Sequence, residues 1–286
     1  MRLIVDHITR YDYERPVRGL VQSHRLTPSV FQGQKVISWQ VSVTAGQTGE
    51  EGGETPGLLG AEFTDGAGDR IQGWRIAGPA TRVTVRVQGE VETADLAGML
   101  KGHREVINPC AYKRETAMTA GSAALEALAE TVSDAGGQLS LAHGLSAAVS
   151  GAIRYQPGVT HAHTSASEAL ALGEGVCQDH AHALIALARL RGLPARYVSG
   201  YLFADSSGAA PDSAAEAAHA WAEIFVDGLG WIGFDPANEC CPDARYIRLA
   251  SGFDARDAAP IRGVARGGTA GDEFMDVSVA VLSADQ

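Results

Sequence analysis

One cysteine in this sequence lies where a thiol could act as a nucleophile. Cys177 follows Gly173 and Gly175 and begins a predicted helix over 177–191. The glycines allow a sharp turn and close approach of a substrate to the backbone. A helix N-terminus offers unpaired N–H groups and the positive end of the helix dipole, which stabilise a thiolate. This position therefore predicts a reactive cysteine, and the alternative is a small, buried and inert core thiol.

Two later segments contain the other groups that a thiol nucleophile needs, a general base and a group that orients it. His219 begins one predicted strand and Asp235 ends the next. A three-residue loop, 227–229, would pair Val226 with Gly230 and place Asp235 on the same face as His219. A two-residue loop would place it on the opposite face. The sequence therefore predicts an odd-numbered loop and a Cys–His–Asp triad, against the alternative of a rim histidine and a turn aspartate.

A metal site is a rival interpretation of the remaining histidines together with Cys177. His180 and His182 lie two residues apart on the predicted helix and so point in different directions, while His161 and His163 lie in a polar loop. This spacing does not favour a metal, so we expect no metal and no cofactor. We expect His182 to pack near the site and the other three histidines to be solvated or to lie at its rim.

The composition argues against several classes of protein. The chain has 286 residues and a net charge of −11. An acidic protein is poorly suited to grip nucleic acid, and no apolar run approaches the roughly 18 residues of a membrane span. The four cysteines form no Cys-x-x-Cys pair, so they indicate neither a disulfide scaffold nor a zinc site. We interpret Cys110 as packed in an interdomain segment, and Cys240 and Cys241 as loop thiols.

The N-terminus bears on the compartment. Its apolar run, 3–5, is followed at once by Asp6 and His7. A signal peptide needs an apolar core of about 7–15 residues. We therefore expect a cytoplasmic protein, in which thiols stay reduced.

The first third of the chain has the hydrophobic pattern of strands. Residues 37–44 and 82–91 alternate between apolar and polar side chains, as half-buried strands do. Residues 3–13 and 70–76 are weaker strand candidates. We predict a β-rich, sandwich-like N-terminal domain over residues 1–93.

The pattern becomes helical after an interdomain segment, 94–121, and strands return after the predicted helix that begins with the cysteine. Ser165 and Glu168 have the spacing of a capping box. We predict an α+β domain over 122–286, with helices packed on an antiparallel sheet. The acidic segment 204–217 precedes the candidate base, and a gate over the cleft is a hypothesis for its role that the sequence leaves open.

Several motifs together resemble one known family, the bacterial transglutaminase-like cysteine peptidases. They are Gly-Val-Cys-Gln-Asp at 175–179, His-Ala-Trp-Ala-Glu at 219–223 and Gly-Phe-Asp-Pro-Ala-Asn at 233–238, with further likeness at 7–13, 25–28, 193–201 and 262–268. The resemblance implies a papain-like, transglutaminase-like core behind a β-rich N-terminal domain. It implies Cys177 as nucleophile, His219 as base and acid, and Asp235 as orienting group.

The sequence departs from the family pattern at two places. A turn that usually ends Gly-Asn reads Gly68-Asp69, and the segment 46–60 is longer than usual. We interpret that segment as a solvated loop because it is rich in glycine and glutamate. Neither departure touches the predicted triad.

The resemblance leaves the reaction open, because hydrolysis and transamidation share one thioester intermediate. We expect hydrolysis of an amide in a peptide or protein, since water is abundant. The alternatives are a protein-glutamine acyltransferase and a non-catalytic binding module that retains the fold. The Cys177 N–H is an expected oxyanion donor. Candidates for a second donor or for substrate contact are Tyr155, Gln156, Gln178 and Trp221.

Overall fold

Strands form both ends of the chain, and helices fill its middle. The computed structural model describes residues 1–47, 53–203, 217–267 and 273–284. The strands in these residues are β1 (Arg2–His24), β2 (Gln34–Gly46), β3 (Thr55–Pro56), β4 (Leu58–Thr64), β5 (Arg70–Thr93), β6 (Arg154–Tyr155), β7 (Glu174–Gly175), β8 (Ala195–Leu202), β9 (Ala218–Val226), β10 (Gly230–Phe234), β11 (Tyr246–Gly252), β12 (Ile261–Arg266) and β13 (Glu273–Ser283). The helices are α1 (Ala123–Glu130), α2 (Gly137–Ala152), α3 (Ala166–Leu172), α4 (Cys177–Leu190) and a short 3-10 helix (Pro109–Lys113).

The N-terminal sheet is built on two long strands whose side chains alternate between the core and the outer surface. β1 and β5 pair antiparallel from Arg2 opposite Glu92 to His24 opposite Gln72, with a break in register midway. β2 and β4 add to β5. The first part of β1 also pairs with β13 and its last part with β12. The last two strands of the chain therefore complete the N-terminal sheet, although the sequence placed them in the domain over 122–286.

Two segments of the N-terminal region differ from the sequence expectation. Residues 70–76 and 82–91 form one continuous strand, β5, rather than two. The predicted loop 46–60 contains β3 and the start of β4, because the chain pairs there with β2 and β5. Residues 48–52 lie outside the described part, as does all but the last residue of the segment considered as a gate, 204–217.

The second sheet has four antiparallel strands in the order β10-β9-β8-β11, and α4 packs against it. Residues 181–188 of α4 are Ala, Leu and Ile with one His, so the helix is apolar on every side. Such a helix must be surrounded by protein, and α4 is buried by α1, α2, α3 and the sheet. This arrangement confirms the predicted α+β architecture. In the residues that the structure describes, no helix combines the length and apolarity needed to cross a bilayer.

The two sheets share an apolar core. Tyr201, Ile247 and Leu249 of the four-stranded sheet, together with Phe203 just after β8, pack among the buried residues of the N-terminal sheet. A buried hydrogen bond crosses the same interface, 2.7 Å from the Tyr201 hydroxyl to Nδ1 of His7. The N-terminal sheet is therefore a fixed neighbour of the strands that position the candidate site.

A buried chain of charges also joins the two parts. Arg248 donates to Glu223 (2.8 Å) and to Asp69 (2.9 Å), and Arg196 donates to Glu223 (2.7 Å) and to Glu105 (2.5 Å). Burial disfavours the charged form of Glu223, yet the two guanidinium groups lower its pKa to about 2. Asp69, which departs from the family pattern, thus supplies a carboxylate to a fully buried arginine.

Replacing Asp69 with alanine is expected to lower the free energy of unfolding by about 3–5 kcal/mol, because it leaves the buried Arg248 guanidinium without one partner. The matched control is Asp6→Ala, which breaks an ion pair to Arg86 whose side chains are 44% and 42% exposed. That loss should be within about 1 kcal/mol. Urea unfolding of both variants measures the difference. Equal, small losses would contradict a stabilising role for the buried pair.

Candidate active site

The candidate nucleophile lies in the first turn of α4, as the sequence predicts. Cys177 is its first residue and is partly buried. Gly173 ends α3 with φ of +70°, a conformation that favours glycine. A Cβ on Gly175 would lie 2.7 Å from the Asp179 carboxylate, so the glycine allows the helix start to close tightly. Asp179 Oδ2 accepts from the Val176 N–H at 2.8 Å and caps the turn.

The loop that precedes α3 is fastened to this same turn. The Thr160 hydroxyl donates to Asp179 Oδ2 at 2.6 Å. Gln178 Nε2 donates to the Ala162 carbonyl at 3.3 Å. Both bonds come from residues within one turn of Cys177, so the loop is held beside the thiol.

The hairpin that carries the other two candidate residues has the predicted three-residue loop. Val226 pairs with Gly230, and Gly228 and Gly230 have φ of +81° and +86°. The pairing runs through Phe234, and Asp235 follows directly. The two glycines adopt the positive φ angles that this turn requires, and the loop has an odd number of residues, which confirms that prediction.

His219 and Asp235 meet in the interior. His219 Nε2 lies 2.6 Å from Asp235 Oδ2, and their side chains are 6% and 0% exposed. Burial disfavours the charged imidazole, but hydrogen bonds with Asp235 and Cys177 and their negative charges raise the pKa of His219 to about 10. Because Nε2 faces Asp235, Nδ1 is the ring nitrogen left for the thiol. The structure thus brings the three predicted residues together, and their catalytic roles stay a prediction.

Two further side chains hold Asp235, and the sequence analysis assigned a role to neither. Asn238 Nδ2 donates to Asp235 Oδ2 at 2.7 Å, and the Tyr246 hydroxyl donates to the same oxygen at 2.8 Å. The N–H groups of Ala237 and Asn238 donate to Oδ1. Burial opposes ionisation of Asp235, but these donors and His219 lower its pKa. Asn238 could have been found from its place in the Asp-Pro-Ala-Asn motif, whereas nothing local indicates Tyr246.

The Trp221 ring packs beside the His219 imidazole. It is 2% exposed, and its ring stacks on His219 with centroids 6.4 Å apart and meets Tyr246 edge-on at 5.5 Å. A Cβ on Gly200 of the neighbouring strand would lie 2.6 Å from this ring, so only glycine leaves room for it. The predicted contact of Trp221 with substrate stays a prediction.

The other candidate substrate contacts lie on the thiol side of the site. Tyr155 is in β6, which pairs with β7 just before Cys177, and its side chain is 42% exposed. The Gln156 N–H donates to the Gly175 carbonyl at 2.8 Å. Together with Gln178, these residues surround the nucleophile turn, and their roles also stay predictions.

Two of the remaining histidines are buried, and one of them was expected to be. His180 was expected to be solvated or at the rim, which is wrong, because its ring lies between the carbonyls of Val176 and Ile153 at 2.9 and 2.8 Å. His182 packs in the interior as expected. Its Nε2 accepts from the Ala255 N–H at 3.0 Å, and burial lowers its pKa to about 4. The two histidines of the polar loop are exposed. In the described ranges no group of three or more His, Cys, Asp or Glu could hold a metal ion.

The four cysteines, all described, are free thiols in different settings. Cys110 was expected to be packed, which is wrong, because it lies exposed on the 3-10 helix. Burial raises the pKa of Cys240 and of Cys241, and Cys240 Sγ lies 3.3 Å from the Tyr246 hydroxyl. Cys177 differs from the other three in its contact with His219.

Comparison with known proteins finds relatives for both parts of the chain. The pattern of the Transglutaminase-like superfamily matches residues 123–236, and that of the Bacterial transglutaminase-like N-terminal region matches residues 3–92. An uncharacterized Mycobacterium leprae protein is 29% identical over 98% of both chains. An uncharacterized Mycobacterium tuberculosis protein is 39% identical over 45% of this chain and 42% of its own.

A solved structure shares the whole fold. The crystal structure of a candidate cysteine protease from Cytophaga hutchinsonii aligns with a TM-score of 0.69 and 22% identity, covering 100% of this chain and 92% of that one. At this identity the likeness shows the fold. The two family patterns lead to one conclusion: residues 123–236 belong to the transglutaminase-like superfamily and residues 3–92 are the bacterial transglutaminase-like N-terminal region.

Proposed function

We propose that this protein is a cysteine-nucleophile amide hydrolase that acts on peptide or protein amides through a thioester acyl-enzyme. The superfamily supports a cysteine-based hydrolase or acyltransferase. The observation that carries the proposal is the buried His219 ring, held by Asp235 at 2.6 Å and in contact with Cys177 at the start of α4. A thiol, a base and an orienting carboxylate in this order are the parts that acyl transfer needs.

In the first half-reaction the Cys177 thiolate attacks the carbonyl carbon and a C–S bond forms. The oxyanion takes hydrogen bonds from helix-start N–H groups, including that of Cys177, since the first N–H groups of a helix have no partner within it. The tetrahedral intermediate collapses, the C–N bond breaks, and protonated His219 gives its proton to the leaving amine. Its pKa of about 10 keeps the imidazole protonated until that step.

In the second half-reaction water attacks the thioester. His219, now neutral, accepts a proton from the water, and the C–S bond breaks to release the carboxylic acid and return the thiolate. Asp235 holds the ring in one orientation throughout and stabilises its charged form. The free thiols of the described structure also fit the proposed cytoplasmic location, where thiols stay reduced.

The competing acyltransferase reaction replaces water by an amine in the second half. Incubation with a glutamine-containing peptide and a labelled primary amine separates the two. Release of ammonia or of cleaved peptide without label in the product supports a hydrolase. Incorporation of the amine as the main product would identify an acyltransferase and overturn the hydrolase proposal.

A further inference from the structure

The strand β11 connects the candidate site to the N-terminal sheet. Its first residue, Tyr246, contacts Asp235, and Arg248, two residues on, contacts Asp69 of the turn Gly68-Asp69. No sequence motif indicates this connection, since the two ends lie far apart in the chain. Asp235 therefore receives a hydrogen bond from a strand outside the β9–β10 hairpin that carries it and His219.

The geometry around Tyr246 is specific. Its hydroxyl lies 2.8 Å from Asp235 Oδ2, the oxygen that faces His219. Its ring meets His219 and Trp221 at steep angles, with centroids 5.9 and 5.5 Å apart. Because Gly200 of β8 has no side chain, the Trp221 ring of β9 lies over it and reaches the Tyr246 ring of β11. Tyr246 is itself 5% exposed, so the ring cannot rotate away into solvent.

We propose that Tyr246 is a positioning residue, whose hydroxyl fixes Asp235 Oδ2 toward His219 and whose strand is anchored on the N-terminal sheet by Arg248. This inference rests on the proposed function, because it assigns Tyr246 a part in the same reaction. The hydroxyl stabilises the ionised carboxylate, since a hydrogen bond to the charged form favours that form. In this proposal Tyr246 acts through Asp235 and contacts neither the Cys177 thiol nor the substrate carbonyl.

The titratable groups around Asp235 come from four parts of the chain, and they determine what a pH profile reports. His219 of β9 and Tyr246 of β11 contact Asp235 directly. Cys240, in the loop after β10, lies 3.3 Å from the phenol oxygen, and Cys177 of α4 contacts the imidazole. As the pH falls, protonation of Asp235 releases His219. The acid limb of Cys177 reactivity therefore responds to the charge of Asp235, which acts on the thiol through His219.

The test is the rate of Cys177 alkylation by iodoacetamide between pH 2.5 and pH 8, resolved by mass spectrometry of the cysteine-containing peptides. The range extends below the usual pKa of a carboxyl group because the pKa of Asp235 is lowered. In Tyr246→Phe the carboxylate loses one donor, so the acid limb should move to higher pH by about one unit, which is the size of one hydrogen bond to a charged group. Tyr201→Phe is the matched control. It also removes a buried phenol hydroxyl, but one that contacts His7, and its acid limb should stay at the wild-type pH.

Cys240→Ala separates the two contacts of the phenol, because it removes the thiol neighbour and keeps Asp235. Its acid limb should also match wild type. An unshifted limb in Tyr246→Phe would overturn the inference, and so would a Tyr246→Phe protein that does not fold, since the hydroxyl would then serve stability. If wild-type Cys177 itself reacts no faster than free cysteine, the proposed function fails instead, and the two failures are thereby distinguished.

Discussion

Replacing Cys177 with alanine is expected to abolish amide turnover, a loss of about 10⁴-fold or more in kcat, because no thioester can form without the sulfur. The fold should persist, since the substitution removes a single partly exposed atom at a helix end. Activity is measured as kcat with a peptide substrate, and stability is measured as the urea midpoint of unfolding. Retained turnover would exclude Cys177 as the nucleophile.

The matched control for that variant is Cys110→Ala, which removes an exposed thiol outside the site and should change neither property. A large stability loss in Cys177→Ala alone, with the free energy of unfolding lowered by several kcal/mol, would favour the inert core cysteine considered from the sequence. The pair of variants therefore separates a chemical role from a packing role.

Replacing Asp235 with asparagine is expected to lower kcat by about 10³–10⁴-fold and to change its pH dependence. Asp235 is one of the groups that raise the pKa of His219 to about 10. Without the carboxylate charge, burial dominates and the pKa falls. Protonated His219 is then lost at lower pH, so the alkaline limb of the profile, expected near pH 10 in the wild type, should move toward neutrality.

The control for this variant is Asp227→Asn, the same change at the tip of the same hairpin. Asp227 is exposed and accepts from Gln138 at 2.9 Å. Its profile should match wild type. An Asp235→Asn enzyme with a wild-type alkaline limb would show that the carboxylate does not control the imidazole.

The sequence predicted the parts of the site that local chemistry determines. Gly228 and Gly230 specify the three-residue loop, and that loop alone decides that Asp235 follows strand β10 on the side of His219. The glycines before Cys177 and the apolar pattern after it specify where α4 begins. These features depend on residues a few positions apart, so one sequence is enough to predict them.

The features that sequence reasoning missed depend on contacts between distant residues. Tyr246 and Asp69 have ordinary local surroundings, and their roles arise from the strand order that brings β11 beside both the hairpin and the N-terminal sheet. The pairing of β12 and β13 with β1 is likewise invisible in a period-two pattern, which indicates a strand but not its neighbour. His180 was misplaced because burial of α4 on all sides depends on how three other helices pack.

The measurement that tests the central claim most directly is the alkylation rate of Cys177 by iodoacetamide at pH 6, with the modified peptide identified by mass spectrometry. Free cysteine is almost entirely protonated at this pH and reacts slowly. A thiolate stabilised by the start of α4 and by protonated His219 should react about ten-fold faster than free cysteine or more. The excess should shrink in Asp235→Asn, because the variant weakens the contribution of His219 and leaves that of α4 unchanged. A Cys177 that reacts no faster than free cysteine would contradict an activated nucleophile at this site.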